Sequence, residues 1–307
     1  MGALQGRFLG GFRLSVGDVA IDGLTTRKSR ALLAYLMLNP GRRFGRETLA
    51  ETIWGEGRAS DTMKALRQEL WIIRRAFRGK NIEPKPYFTL DGEELGVVGS
   101  PWVDAVAFET AIETQATDSD NSHGDAEAAR LEVAVALYTG DLLPGLYDDW
   151  CLFPREILRD KFIIAVERLM EWHAGRADWG AAILHGKRLL DADPLLEHVH
   201  RDMMRYHYAR GDRSAALRQF ARCKRVLRKE LTIEPMAETV ALYEAIRKES
   251  EIDAVRDVTP HDESRGRRRH RSRHRYPSAL SALGAIRNDL DAAGRRIEAI
   301  MRQVEET

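Results

Sequence analysis

Wound at about 100° per residue, residues 60–78 (SDTMKALRQELWIIRRAFR) divide into two faces. Met63, Leu66, Leu70, Ile73 and Phe77 fall within about 80° of one another, a stripe that needs a core to cover it. Lys64, Gln68, Trp71 and Arg75 occupy the opposite face, flanked by Arg67 and Arg74. Lys and Arg can read guanine in a major groove, and Gln can read adenine. Lys64, Arg67, Gln68 and Arg75 are therefore the candidates for base readout. A solvated amphipathic helix fits the same pattern, so the neighbouring elements have to decide.

Those neighbours favour a winged helix. Residues 7–22 are rich in Phe, Leu, Val and Ile and alternate weakly, which predicts a short strand pair. Thr25 or Thr26 offers an N-cap before RKSRALLAYLMLN, a helix ended by Asn39-Pro40-Gly41. A second helix is expected from about Arg46 to Ile53, broken by Trp54-Gly55, and Ser60 or Asp61 is expected to cap the third. YFTL and LGVV joined by DGEE read as a hairpin. Strands, three helices and a hairpin follow in the order of a winged helix-turn-helix.

Charge is distributed to match. Residues 1–102 hold 16 Lys/Arg against 11 Asp/Glu, residues 103–255 hold 20 against 28, and residues 256–307 hold 12 against 8. A basic first module and an acidic second one point to different partners. Within residues 24–80 the count is 13 against 5. Arg27 and Lys28 crowd the start of the first helix, and Arg42 and Arg43 follow it. Together with Arg74, and with Lys80 and Lys85 beside the hairpin, they are the candidates for phosphate contact. Trp71 is expected to pack inside the domain, with the hairpin or DNA sugars as other surfaces for it. Trp54, Trp102, Trp150, Trp172 and Trp179 are expected in the core.

Residues 103–250 are helical in pattern apart from the polar stretch 115–125. Helices are expected over 126–138, 155–174, 180–190, 194–210, 214–230 and 236–248. Asp178 and Asp212 open two similar units at an offset of 34 residues, the period of the tetratricopeptide repeat. Ala182 and Ala216 take the same place in each. Pro194 stands twelve residues after Ala182, as that repeat prefers. In the second unit Arg228 takes the proline's place, which predicts a longer helix. The fold class is thus mainly α, a winged helix followed by an all-α tetratricopeptide-like domain whose stacked pairs suit a protein ligand. Residues 251–277, with seven arginines in 265–275, read as a basic disordered linker. Leu283, Ile286, Leu290, Ala293, Ile297, Ile300 and Val304 then form a heptad seam across 278–307. That seam would pair with its copy in a second chain or pack back on the helical module.

Two long stretches resemble a known family. RKSRALLAYLMLNPGRRFGRETLAETIWGEG and DTMKALRQELWIIRRAF look like the winged helix of the Streptomyces antibiotic regulatory protein type. Trp102-Val103-Asp104, Phe108-Glu109, GDLLPGLYDDWC and YARGDRSAALRQFARCKRVLRKELTIEPMAETVALYEAI are similar to the bacterial transcriptional activator domain that follows it. The resemblance covers about residues 7–250. It implies sequence-specific binding of double-stranded DNA, usually as a dimer on repeated sites, activation through RNA polymerase or its sigma factor, and no cofactor. Met63 and Glu69 stand among the expected base readers, where the family often carries more Arg and Asn.

The domains expected are 1–102, 103–250, 251–277 and 278–307. A helical-repeat adaptor without a DNA role is the competing class, and the basic face of residues 60–78 speaks against it. Enzyme signatures are absent: there is no G-x-x-x-x-G-K-[ST], G-x-G-x-x-G or H-E-x-x-H. His198, His200 and His207 point in different directions on one helix, so no metal is expected. Asp148-Asp149 reads as a family loop, not an acid/base pair. Cys151 and Cys223 read as small core residues in a reducing compartment. With neither a long uncharged apolar run nor a secretion signal, a cytoplasmic location without membrane contact is expected.

Overall fold

The computed structural model describes residues 2–55, 59–113 and 123–248; the linker and the heptad seam lie outside the described residues. At the N-terminus β1 (Leu4–Arg7) and β2 (Arg13–Val16) pair antiparallel, with Leu4 opposite Val16, and β3 (Val19–Ala20) adds to β2. The expected strand pair is present, starting three residues earlier than the alternation suggests. A strand not foreseen, β7 (Trp102–Val103), runs parallel beside β1. Parallel neighbours need a long crossover, and here the three helices and the hairpin supply it.

Thr26 caps α1 (Arg27–Leu38) by accepting from the Ser29 backbone N–H, and Asn39 ends the helix. α2 (Arg46–Trp54) and α3 (Ala59–Arg78) follow. α3 already contains Ser60 and Asp61, so they stand in its first turn and do not cap it. The hairpin β5 (Phe88–Thr89) and β6 (Glu94–Val97) is as expected. It gains a third strand, β4 (Arg43–Gly45), which buries Phe44 opposite Leu95. Three residues are too few to display an alternation, so the sequence does not reveal β4.

The rest of the described chain is helical: α4 (Asp104–Glu113), α5 (His123–Leu137), α6 (Asp149–Gly175), α7 (Trp179–Ala192), α8 (Glu197–Ala209), α9 (Arg213–Leu231) and α10 (Ala237–Lys248). α6 begins six residues before its expected start. Pro154 sits inside it, giving up one backbone hydrogen bond. The helix continues through the proline, and Cys151, ahead of it, is fully buried. The neighbouring Arg155 is buried as well. Its guanidinium donates to the carbonyls of Leu142, Leu143 and Leu146 and so folds the preceding loop onto the helix.

The 34-residue repeat is visible in the backbone. Asp178 and Asp212 each cap a helix by accepting from the residue three ahead, Ala181 and Ala215. The Asp178 N–H bonds to the His173 carbonyl and the Asp212 N–H to the His207 carbonyl. Ala177 and Gly211, again 34 apart, both take the left-handed conformation, at φ 56° and 86°. Ala182 and Ala216 are fully buried. Gly186 lets α8 approach α7 closely, since a Cβ there would fall 2.8 Å from Met203 Cγ. The second unit's helix is the longer one, 19 residues in α9 against 14 in α7.

One apolar core runs from Leu4 to Tyr206, and a smaller one gathers Met204, Ala216, Phe220, Leu242 and Ile246. Asp104, 3% exposed, stitches the large core together by accepting from the backbone N–H groups of Phe8, Leu9 and Ala105. The Leu143 N–H donates to the Phe8 carbonyl, and the rings of Tyr35 and Trp150 meet edge to face at 5.2 Å. Trp54, Trp150, Trp172 and Trp179 are half-buried against the large core, and Trp102 is also half-buried. Cys151 and Cys223 are buried free thiols, and burial raises both thiol pKa values, Cys223 to about 12.

Candidate nucleic-acid interface

α3 is held by its apolar face. Leu66, Leu70, Ile73 and Phe77 are buried and Met63 is half-buried, as the wheel predicts. Lys64, Arg67, Gln68, Trp71, Arg75 and Arg78 are all exposed along the outer side. Among the described residues Lys64 and Gln68 make no intramolecular hydrogen bond or ion pair. Arg67 donates only to the Met63 carbonyl of its own helix, at 3.3 Å.

Trp71 corrects an expectation. It is 51% exposed and does not pack inside the domain. The Arg75 guanidinium lies 5.2 Å from its ring centre, a cation–π distance. The two form one flat, cationic platform on the outer face. Glu69 corrects another. It stands on the other side of the apolar stripe, buried, where Thr26 Oγ1 donates to its carboxylate. It therefore ties α3 to the N-cap of α1 and adds no negative charge to the basic face.

The expected phosphate residues separate into two groups. Arg42, Arg43 and Lys85 are exposed, and Arg42 stacks over Phe44 at 5.6 Å. Arg27 is exposed, with Asp148 only at 3.9 Å. Lys28 and Arg74, in contrast, turn to internal partners. The Lys28 ammonium donates to Asp148 Oδ1 at 2.5 Å and to the Ile53 carbonyl. The Arg74 guanidinium donates to the Leu90 carbonyl at 2.6 Å and to Asp91 at 2.7 Å, fastening the hairpin to α3. Lys80 pairs with Asp22 at 2.8 Å, and its ammonium holds that carboxyl below the usual range.

Two arginines of the site were not anticipated. Arg46, at the start of α2, donates to the Gly92 carbonyl at the hairpin tip, which no local pattern signals. Arg78 lies on the exposed side of α3 and pairs with Glu83 at 3.3 Å; its place on the wheel would have found it. Of the three histidines on α8, His198 faces Glu167, and His200 bonds to the Pro194 carbonyl and Gln219.

Both modules match known protein families. Residues 23–90 match the C-terminal domain of transcriptional regulatory proteins, and residues 103–247 match the bacterial transcriptional activator domain. The chain is 24% identical over 257 residues to the transcriptional regulatory protein MoaR1 of Mycobacterium tuberculosis, covering 82% of each. It is 26% identical over 211 residues to the regulatory protein AfsR of Streptomyces coelicolor, covering 68% of this chain and 20% of AfsR. The solved structure of Mycobacterium tuberculosis EmbR in complex with a low-affinity phosphopeptide superposes with a TM-score of 0.57 at 20% identity, covering 84% of this chain and 68% of that one. It shares the fold.

A winged helix with a cationic outer helix, joined to a helical-pair module, defines a DNA-binding transcriptional regulator. The two domain matches and the named relatives support a regulator of the Streptomyces antibiotic regulatory protein type. None of the helices among the described residues is long and apolar enough to cross a membrane.

Proposed function

We propose that α3 is the recognition helix of a transcriptional activator and that Lys64, Arg67, Gln68 and Arg75 read base edges in the major groove. The observation that carries this is the outer face of α3, where exposed cations and an amide surround Trp71 and where Lys64 and Gln68 have no partner among the described residues. Trp71 adds a flat apolar surface for sugars. Arg27, Arg42, Arg43 and Lys85 hold backbone phosphates on either side. Lys28 and Arg74 are structural instead, because their charge is already answered within the protein.

The helical module carries the activating contact, to RNA polymerase or its sigma factor. Its excess of acidic residues repels phosphate, and its stacked helix pairs offer a surface for protein. Two copies on repeated sites would be joined through residues 278–307, whose heptad seam suits a helical partner.

The test is binding of the full chain to a fragment selected by genome-wide mapping, set against random duplex. Lys64→Ala and Gln68→Ala should each cost about 1–3 kcal/mol on the selected site and little on random DNA. Equal losses on both would place these residues on phosphates. No loss on either would remove α3 from the groove. Co-purification of a polymerase subunit tests the activating contact, and light scattering after deletion of residues 278–307 tests the dimer.

A further inference from the structure

Three side chains able to ligate a metal meet between α5, α6 and α7. Glu132 Oε1 lies 3.1 Å from His185 Nε2 and 3.6 Å from His173 Nε2. All three ligand atoms fall within 4.8 Å of one another. Around a tetrahedral ion with bonds of about 2.0–2.1 Å, ligand atoms stand about 3.3–3.5 Å apart. The set is therefore near the required spacing, and closing on an ion needs only small side-chain adjustments.

The surroundings of His173 fit the same chemistry, while Nδ1 of His185 is buried without a partner among the described residues. His173 Nδ1 sits 3.3 Å from Asp178 Oδ2. A carboxylate on that nitrogen keeps the proton there and leaves the Nε2 lone pair facing Glu132. Asp178 is itself held in place, because its other oxygen caps α7. His185 is buried, and desolvation lowers its pKa, which favours the neutral imidazole that a metal needs. The two imidazoles stack at 5.3 Å and 22°, fixing both rings. Glu132 is partly exposed and gives an ion a way in from solvent.

We propose that Glu132, His173 and His185 bind one first-row divalent cation of zinc-like chemistry, with water in the fourth position. Two imidazoles and a carboxylate without thiolate suit Zn²⁺ and are poor for Ca²⁺ or Mg²⁺, which take oxygen shells. The ion clamps α5 to α6 and to α7, the helix that opens the first repeat unit, and so stiffens the module that, on the reading proposed above, contacts the protein partner.

The experiment strips the full chain with chelator and titrates it with Zn²⁺ against a chromophoric competitor, with Co²⁺ as a spectroscopic probe. His270 and His274 of the tail can also take up metal, so the difference between wild type and variant is the quantity that counts. Wild type should bind one equivalent more than His173→Ala and show the visible bands of four-coordinate cobalt that His173→Ala lacks. Glu132→Gln should weaken that equivalent by about tenfold or more, and Asp178→Asn by about tenfold. His198→Ala, which alters a histidine paired elsewhere, should leave it unchanged. Circular dichroism checks each fold. If His173→Ala does not fold, Glu132→Gln, with a partly exposed side chain, carries the test alone. Uptake that is the same in wild type and Glu132→Gln, or no uptake at all, overturns the site, and the cluster is then a histidine–carboxylate hydrogen-bond group only.

Discussion

Lys28 and Lys64 both stand in the first half of a helix, within the same basic stretch, yet one closes onto Asp148 and the other faces water. The start of α1 and the outer face of α3 look alike as lists of cations. Asp148, 120 residues further on, separates them. A cation with a close, poorly solvated carboxylate has its field cancelled locally and would have to break that pair to reach a phosphate. A cation in open solvent keeps its field for a ligand. The comparison teaches that basic charge marks an interface only where the fold leaves it unanswered.

The strongest way to break it contrasts the two faces of α3. Phe77→Ala should cost about 3–5 kcal/mol in denaturant unfolding, because it empties a fully buried site. Gln68→Ala should stay within about 0.5 kcal/mol. A comparable loss in both would mean that Gln68 serves the fold and not a ligand. Next in size, Lys28→Met should destabilise the chain by about 1–3 kcal/mol, since it leaves the nearly buried Asp148 carboxylate with Arg27 as its remaining cation, 3.9 Å away. The salt dependence of DNA binding should not change in that variant. A flatter slope would return Lys28 to the phosphate group.

A smaller effect sharpens the other side of the contrast. Arg43→Ala should flatten the plot of log affinity against log salt by about 0.9, on any DNA sequence, with unfolding hardly altered. An unchanged slope would take Arg43 out of the interface. The smallest effect compares the two modules by pH. The chain has no histidine before His123. Burial lowers the pKa of His185, His200 and His207 below 6.5, while the hydrogen bond to Glu167 raises that of His198. A depressed histidine contributes stability that is present above 6.5 and lost as pH falls through its folded value. His198 contributes below 6.5 and loses its share as pH rises through its folded value. In chelator the three depressed histidines act to lower the melting temperature between about pH 7 and pH 5, so His207→Gln should raise the melting temperature at pH 5 relative to pH 7 when set against wild type. An unchanged pH profile in His207→Gln would show this histidine to be no less protonated in the fold than in the unfolded chain.

Much of the fold was legible because it is local. The buried stripe of α3, the Thr26 cap, the hairpin and the 34-residue offset all follow from short-range periodicity and capping chemistry. The misses are long-range or very short. β4 and β7 have three and two residues and exist only through pairing with β6 and β1. α6 starts ahead of Pro154, where no side-chain cap marks a helix start. Residue type places Trp71 in the interior and its position on the wheel places it outside, and the position prevails.

The sequence by itself determined the winged helix, the helical repeat, their order and the faces of α3, since each depends on angles that neighbouring residues set along one element. Only the tertiary structure decided that Lys28 is spent on Asp148, that Glu69 anchors Thr26, and that Glu132, His173 and His185 meet. Those outcomes join side chains 12 to 120 residues apart. Periodicity gives each helix its face, and the packing of one face against another decides which side chains come within a few ångströms, where charge and coordination act.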